Sequence, residues 1–169
     1  PKGAGALYIS PKLKSFPALI LGGGQEGGYR SGTEATPAIF GFAAAAEAGR
    51  QTFRQDIQRE AELLHSLCEK LSALPGVKLN GAHEAPHILN VAIPGLPTQN
   101  SINLLQDRGI CVSAGSACAK GHRSHVLSAM GIDGETIDAS FRISLSRETT
   151  QEEIDLLAQA VEEALLPRI

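Results

Sequence analysis

The stretch SFRISLSRETTQEEIDLLAQAVEEALL, residues 140–166, holds two adjacent patterns that decide the fold class. Its first part alternates apolar and polar side chains, which predicts a strand with one buried face, formed by Phe141, Ile143 and Leu145. Thr150 and Glu153 then form a capping box, which predicts the start of a helix. The buried stripe of this helix is predicted at Ile154, Leu157, Ala158, Val161 and Leu165. A strand followed at once by a capped amphipathic helix predicts helices layered on a sheet.

The segments upstream of this stretch add further strands and helices. Apolar residues at intervals of three and four predict one long helix from Pro37 to Leu74, and Pro75-Gly76 ends it. Strands are predicted in GALYI, VKLNG, ILNVAIP and ICVSA, and helices in PTQNSINLLQDRG and SHVLSAMG. The order after residue 75 is therefore β-β-α-β-α-β-α, which predicts an α+β or α/β layer.

Composition and charge exclude several classes of function. The chain has 169 residues, 43% hydrophobic and 20% charged, which is typical of a globular protein. Its net charge of -3 gives no electrostatic case for binding nucleic acid or an anionic membrane. No run approaches the roughly 18 apolar residues of a membrane span, and we expect a cytoplasmic protein.

Cys118 is the cysteine that the secondary structure does not explain. It lies in the small-residue run VSAGSACAKGHRSH, and Lys120, His122 and Arg123 follow it closely. Positive charge lowers the pKa of a thiol, so the pattern favours a reactive thiolate, a nucleophile or a sulfur carrier. The alternative is an incidental loop cysteine.

The other cysteines and the histidines suggest no chemistry. Cys68 shares the helical stripe of Leu64, Leu67 and Leu71, so we expect it in the core, and Cys111 is predicted to be a buried strand residue. Three cysteines form neither a disulfide framework nor a CxxC metal site, and the histidines lack metal-ligand spacing. No metal site is therefore expected.

Two further segments are candidates for binding anions. Arg142 lies on the polar side of the predicted strand, where a guanidinium can hold a carboxylate through two parallel hydrogen bonds. A solvated arginine on an edge strand is the alternative. The glycine-rich segment 22–34 ends in Ser-Gly-Thr, and such a turn can direct backbone N–H groups and the Thr33 hydroxyl at a phosphate.

Taken together, several separated motifs make the chain resemble the pyridoxal-phosphate-dependent cysteine desulfurases of the nitrogen-fixation and iron–sulfur-cluster type, within the class V aminotransferases. The motifs occur in the family's order along essentially the whole chain. They are PKGAGALY at 1–8, GGGQE at 22–26, RSGTE at 30–34, APHILN at 85–90, SAGSAC at 113–118, SHVLSAMG at 124–131 and FRISLSR at 141–147.

The resemblance implies a role for each candidate residue. Cys118 matches the catalytic cysteine that takes sulfur from L-cysteine as a persulfide, releases L-alanine and passes the sulfur to an acceptor or scaffold protein. Arg142 matches the arginine that binds the substrate carboxylate. Thr33 matches the threonine that reaches the cofactor phosphate in the neighbouring subunit of a homodimer. Lys120, His122 and Arg123 are expected to tune the loop. The sulfur would serve iron–sulfur cluster or thio-cofactor synthesis.

The resemblance also implies how this chain relates to the whole enzyme. The family's Schiff-base lysine lies in a His-Lys pair just ahead of the PKG motif, so we expect a C-terminal portion of a fold-type I enzyme that is inactive alone. Residues 1–36 would end the cofactor domain, 37–74 form a connecting helix, and 75–169 form a small domain with a mostly antiparallel sheet covered by helices. A non-catalytic persulfide carrier or interaction domain, a selenocysteine lyase relative and an aminotransferase-like relative are the alternatives.

Overall fold

The computed structural model describes residues 2–13, 15–82, 84–114 and 123–165. The chain divides into two compact units, Pro1–Phe53 and Arg54–Ile169, and we describe each by itself. The division falls inside the long helix. The domain limits predicted at residues 36 and 74 stay a prediction.

Helix α1 runs without interruption from Thr36 to Ser72 and confirms the predicted long helix. Pro37 lies in its first turn, where the missing N–H costs no hydrogen bond. In the second unit, one stripe of this helix is buried at the helical spacing of three and four residues. Its members are Leu63, Leu64, Leu67 and Leu71.

The second unit contains a three-stranded antiparallel sheet. The strands are β1 (Lys78–Asn80), β2 (Ile88–Ala92) and β3 (Ser140–Ser144), in the order β1-β2-β3. Phe141 and Ile143 of β3 are buried, as the alternation predicts. The predicted small antiparallel sheet with helices is confirmed.

Four shorter helices accompany the sheet in the described part of the second unit. They are α2 (Thr98–Gln106), α3 (His125–Ala129), α4 (Gly134–Asp138) and α5 (Gln151–Leu165). The capping box of α5 forms as predicted, since the N–H of Thr150 donates to Glu153 Oε2 at 3.0 Å and the N–H of Glu153 donates to Thr150 Oγ1 at 3.3 Å. The predicted stripe of α5 is buried.

The ends of α3 were predicted, but α4 was not. Ser124 caps α3 by accepting from the N–H of Leu127, and Gly131 ends it with φ +77°, as predicted. Helix α4 was not predicted. Its cap is the Asp133 carboxylate, which accepts from the N–H of Thr136 at 2.8 Å.

One hydrophobic core fills the second unit. Side chains from α1, the sheet, α2 and α5 pack together, with Leu67, Leu71, Val91, Phe141 and Val161 fully buried. On the opposite sheet face, Ser140 is buried and donates to the Thr136 carbonyl of α4, whereas Arg142 is exposed; we call this the open face at Arg142.

The prediction that ICVSA forms a strand and buries Cys111 is wrong. The segment makes only an isolated bridge, at Ser113, and Cys111 is exposed. Ile110 and Val112 pack against the core. Since successive side chains of an extended segment point to opposite sides, Cys111 between them is directed away from the core.

The strand predicted in GALYI does not form either. Residues 5–9 have no regular secondary structure, and Leu7 and Tyr8 are exposed. The first unit contains a 3-10 turn at Glu26–Gly28 and a parallel bridge between Ile20 and Arg30. Among its described residues only Ser31 is buried. A strand needs a paired neighbour, and the described part of this unit offers residues 5–9 none.

Candidate functional site

The predicted site residues fall into two groups. Cys118, Lys120 and His122 lie outside the described residues. Thr33, Arg123 and Arg142 lie inside them, Thr33 in the first unit and the two arginines in the second.

Arg142 projects from the open face of the sheet. It lies in β3 between buried Phe141 and buried Ile143, so the alternation of the strand turns its side chain away from the core. The guanidinium is exposed and makes no hydrogen bond or ion pair with any residue that the structure describes. Arg59 of the same unit, by contrast, donates to the carbonyls of Arg147 and Thr149. Arg142 therefore presents a planar set of donors to solvent.

The backbone of Arg142 holds the segment that leads to Cys118. Its N–H donates to the Ser113 carbonyl at 2.6 Å, and the N–H of Ser113 donates back to the Arg142 carbonyl at 3.0 Å. Residues that exchange both hydrogen bonds in this way face each other, with side chains on the same face. Cys118 follows Ser113 by five residues, and five residues span at most about 18 Å.

Arg123 forms an ion pair at the other end of the same segment. Its Nε lies 2.9 Å from Asp138 Oδ1 and its second terminal nitrogen lies 2.6 Å from Asp138 Oδ2, a bidentate arrangement. These hydrogen bonds lower the pKa of the Asp138 carboxyl and raise the pKa of Arg123. The carboxylate offsets the charge of Arg123, and a role for Arg123 in tuning the thiol stays a prediction.

Two asparagines stand in one row with Arg142, and the sequence reasoning did not single them out. Asn80 pairs with Asn90 across β1 and β2, and Asn90 pairs with Arg142 across β2 and β3. Asn80 Nδ2 donates to Asn90 Oδ1 at 2.8 Å and to Ser140 Oγ at 3.1 Å. The polar alternation of ILNVA was the signal that could have found Asn90. It places an amide on the open face between Leu89 and Val91, both buried.

Thr33 follows a locally ordered turn in the first unit. The N–H of Gly32 donates to Gln25 Oε1 at 3.2 Å, and the N–H of Ser31 donates to the Ile20 carbonyl at 3.1 Å. Gly32 has φ +112°, a conformation that favours glycine. Thr33 is exposed, and its hydroxyl has no hydrogen-bond partner within the described ranges. A hydroxyl in this state can serve a phosphate oxygen.

Cys68 and Cys111 differ in environment. Cys68 packs against the core of the second unit, and this burial raises the pKa of its thiol, which opposes nucleophilic chemistry. Cys111 is exposed. Within the described residues, no three His, Cys, Asp or Glu side chains come together in a way that could hold a metal ion. The same residues include no helix with the length and apolar character needed to cross a membrane.

Comparisons with known proteins give one consistent picture. Cysteine desulfurase 2 of Trichormus variabilis is 40% identical over 164 residues, which are 94% of this chain and 41% of that protein. Cysteine desulfurase IscS of Azotobacter vinelandii is 39% identical over 170 residues, or 98% of this chain and 42% of that protein. The structure of a NifS-like protein from Rickettsia africae superposes with a TM-score of 0.75 at 33% identity, over 88% of this chain and 40% of that chain.

The chain thus spans about two fifths of the length of the curated relatives it matches. The model of the aminotransferase class-V family matches residues 1–157. The predicted resemblance is confirmed, and the fold agrees with that of the NifS-like structures over 88% of this chain. The chain belongs to the aminotransferase class-V family.

Proposed function

We propose that this chain is the C-terminal portion of a cysteine desulfurase. The observation that carries the proposal is the exposed guanidinium of Arg142, which has no side-chain partner in the described ranges. The backbone of Arg142 is hydrogen-bonded to Ser113, five residues ahead of Cys118. Arg142, whose guanidinium is suited to a carboxylate, is thereby hydrogen-bonded to the segment that leads to the Cys118 thiol. The relatives named cysteine desulfurase support the same assignment.

In the proposed reaction the chain's own residues bind the substrate and receive the sulfur. Arg142 binds the carboxylate of L-cysteine through two parallel hydrogen bonds and orients the amino acid. The Cys118 thiolate attacks the substrate sulfur, so an S–S bond forms as the C–S bond of the substrate breaks and Cys118 becomes a persulfide. The substrate Cβ keeps the electron pair of the broken bond, takes up a proton, and the product leaves as L-alanine. The persulfide then passes to an acceptor or scaffold protein for iron–sulfur cluster or thio-cofactor synthesis. Lys120, His122 and Arg123 are proposed to favour the thiolate.

Pyridoxal phosphate is the proposed cofactor, and Thr33 is the residue of this chain proposed to contact it. The free hydroxyl of Thr33 after the Gly32 turn fits a phosphate oxygen. When bound, the cofactor supplies the electron sink that the reaction needs. The proposed assembly is a homodimer in which Thr33 serves the neighbouring subunit's cofactor. The proposed location is the cytoplasm, and this chain alone is expected to be inactive.

The test uses the protein that contains this chain, loaded with pyridoxal phosphate and given L-cysteine. Cys118→Ala should abolish alanine and sulfide production while cofactor absorbance remains. Cys111→Ala is the matched control, since it removes an exposed thiol upstream of Ser113 and should leave turnover intact. Unchanged alanine production in Cys118→Ala would defeat the assignment. If the native protein accepts a persulfide from another protein but produces no alanine from L-cysteine, it is a carrier domain instead.

A further inference from the structure

The row that contains Arg142 includes a second donor of the same site. We propose that Asn90 donates a hydrogen bond from Nδ2 to the carboxylate that Arg142 binds, and that Ser140 and Asn80 fix its amide orientation. This inference rests on the proposed function and names a further substrate-binding residue for it.

The strand register brings Asn90 close to Arg142. On either side of this pair, the N–H of Ile93 donates to the Ala139 carbonyl and the N–H of Leu145 donates to the His87 carbonyl. Hydrogen-bonded and non-hydrogen-bonded pairs alternate along an antiparallel ladder, so Asn90 and Arg142 form a non-hydrogen-bonded pair. The Cα atoms of such pairs are only about 4.5 Å apart, and their side chains lie closer than in the other class.

A directional chain of hydrogen bonds sets the orientation of the Asn90 amide. The carbonyl of Thr136 can only accept, so the Ser140 hydroxyl donates to it, at 2.6 Å. Ser140 Oγ therefore accepts from Asn80 Nδ2 at 3.1 Å. The second hydrogen of that Nδ2 goes to Asn90, at 2.8 Å, and Asn90 must present its oxygen. A backbone carbonyl of α4 thus determines, through Ser140 and Asn80, which way the Asn90 amide is turned.

The orientation leaves the donor end of the Asn90 amide without a bond to β1. Asn90 Oδ1 accepts from Asn80 of β1, so Nδ2 is the end of the amide left for an acceptor, and Arg142 of β3 is the cross-strand neighbour of Asn90 on its other side. This Nδ2 has no hydrogen-bond partner among the residues that the structure describes. The guanidinium offers donors only, so the two groups cannot bond each other. Adjacent donors without an acceptor between them form a site for an anion, and a carboxylate has oxygens enough for both.

Steady-state kinetics of the cofactor-loaded protein with L-cysteine test the inference. Asn90→Ala should raise KM about tenfold or more, the effect of losing a hydrogen bond to a charged group, with kcat nearly unchanged. Asn90→Asp keeps the shape of the side chain but places a negative charge beside Arg142, and KM should rise further. Ser140→Ala should raise KM less, because it only frees the amides to turn.

A matched control separates the loss of the Asn90 hydrogen bond from the general effect of replacing an asparagine by alanine. Asn103 on α2 accepts from Gln99 Nε2 at 2.9 Å through its own Oδ1, and it is exposed. Asn103→Ala should leave KM unchanged. L-Cysteinamide, which lacks the carboxylate, should react poorly with the native protein, and Asn90→Ala should not slow it further.

A binding measurement provides a readout that does not depend on turnover. The side-chain amide resonances of Asn90 should shift on titration with L-alanine and stay in place with L-alaninamide. If Arg142→Ala raises KM while both Asn90 variants and the amide resonances stay at native values, this inference is overturned and the proposed function survives. If Arg142→Ala also leaves KM unchanged, both are overturned.

Discussion

The two units of the chain contrast in how they bury apolar side chains. The second unit encloses a core of leucine, isoleucine, valine and phenylalanine side chains from its helices and its sheet. The first unit exposes most of its large apolar side chains, among them Leu7, Tyr8, Leu19, Leu21 and Phe40. Both contain apolar residues in quantity, but only one has the elements to cover them.

The contrast teaches that hydrophobic content alone does not make a stable unit. Burial stabilises by removing apolar surface from water, and the described residues of the first unit remove little. We therefore expect the second unit to supply the stability of the chain. The first unit should be ordered by contacts beyond this chain, as the proposed homodimer would provide.

Hydrogen exchange should show the largest difference between the units. The amide of Phe141 belongs to a hydrogen-bonded pair of the sheet core, and it should exchange at least about 10³-fold more slowly than the amide of Tyr8. Tyr8 has no backbone hydrogen bond within the described residues. Mass spectrometry of peptides covering 4–12 and 138–146 measures it. Equal protection of the two peptides in the isolated chain would contradict the contrast.

A matched pair of phenylalanine substitutions should separate the units next. Phe141 is 0% exposed, so Phe141→Ala should lower the free energy of unfolding by about 3–5 kcal/mol. Phe40 is 76% exposed, and Phe40→Ala should change it by less than about 0.5 kcal/mol. Urea denaturation of the isolated chain measures both values. A comparable loss in Phe40→Ala would show that the first unit buries this ring in solution.

The capping box of α5 should give a smaller effect. Thr150→Ala removes the hydroxyl that accepts from the N–H of Glu153, at a cost of about 1 kcal/mol. Thr33→Ala removes an exposed threonine hydroxyl from the first unit and should leave stability unchanged. Thermal unfolding of the two variants compares them. The interpretation fails if both shift the midpoint equally.

The Asp138–Arg123 pair should give the smallest effect, because both side chains are exposed. The pKa of Asp138 is lowered by the hydrogen bonds from Arg123, so the carboxylate form favours folding. This contribution is present above the ordinary pKa of an aspartic acid and is lost as the pH falls through the lowered value. NMR titration of the Asp138 carboxyl should show the low pKa, and Arg123→Ala should return it toward normal.

Much of the second unit was predictable because its local signals agree with its packing. The alternation of β3, the Thr150–Glu153 box and the Ser124 and Gly131 ends of α3 are all encoded within a few residues. Helix α4 was missed because it has only five residues, although Asp133 three residues before Thr136 was a usable capping signal.

The errors and the missed residues depend on long-range partners. GALYI has strand composition but no pairing partner in the described residues, and Cys111 lies in an apolar run whose neighbours take the core side. The row of Asn80, Asn90 and Arg142 depends on strand register, which one segment alone cannot reveal. The sequence could therefore nominate Arg142, and the three-dimensional pairing was needed to find its neighbours.

Arg142 has two separate roles in the proposed site, because its side chain is exposed on the open face while its backbone is bonded to Ser113. In the proposed enzyme, Arg142 binds the substrate carboxylate with its side chain, and its backbone holds the segment that leads to the sulfur-accepting Cys118. An engineer who wished to transplant this chemistry to another scaffold would have to move β3 and residues 110–114 together, as one cassette. Replacing only β3 or only residues 110–114 would lose the hydrogen bonds that join Arg142 to Ser113.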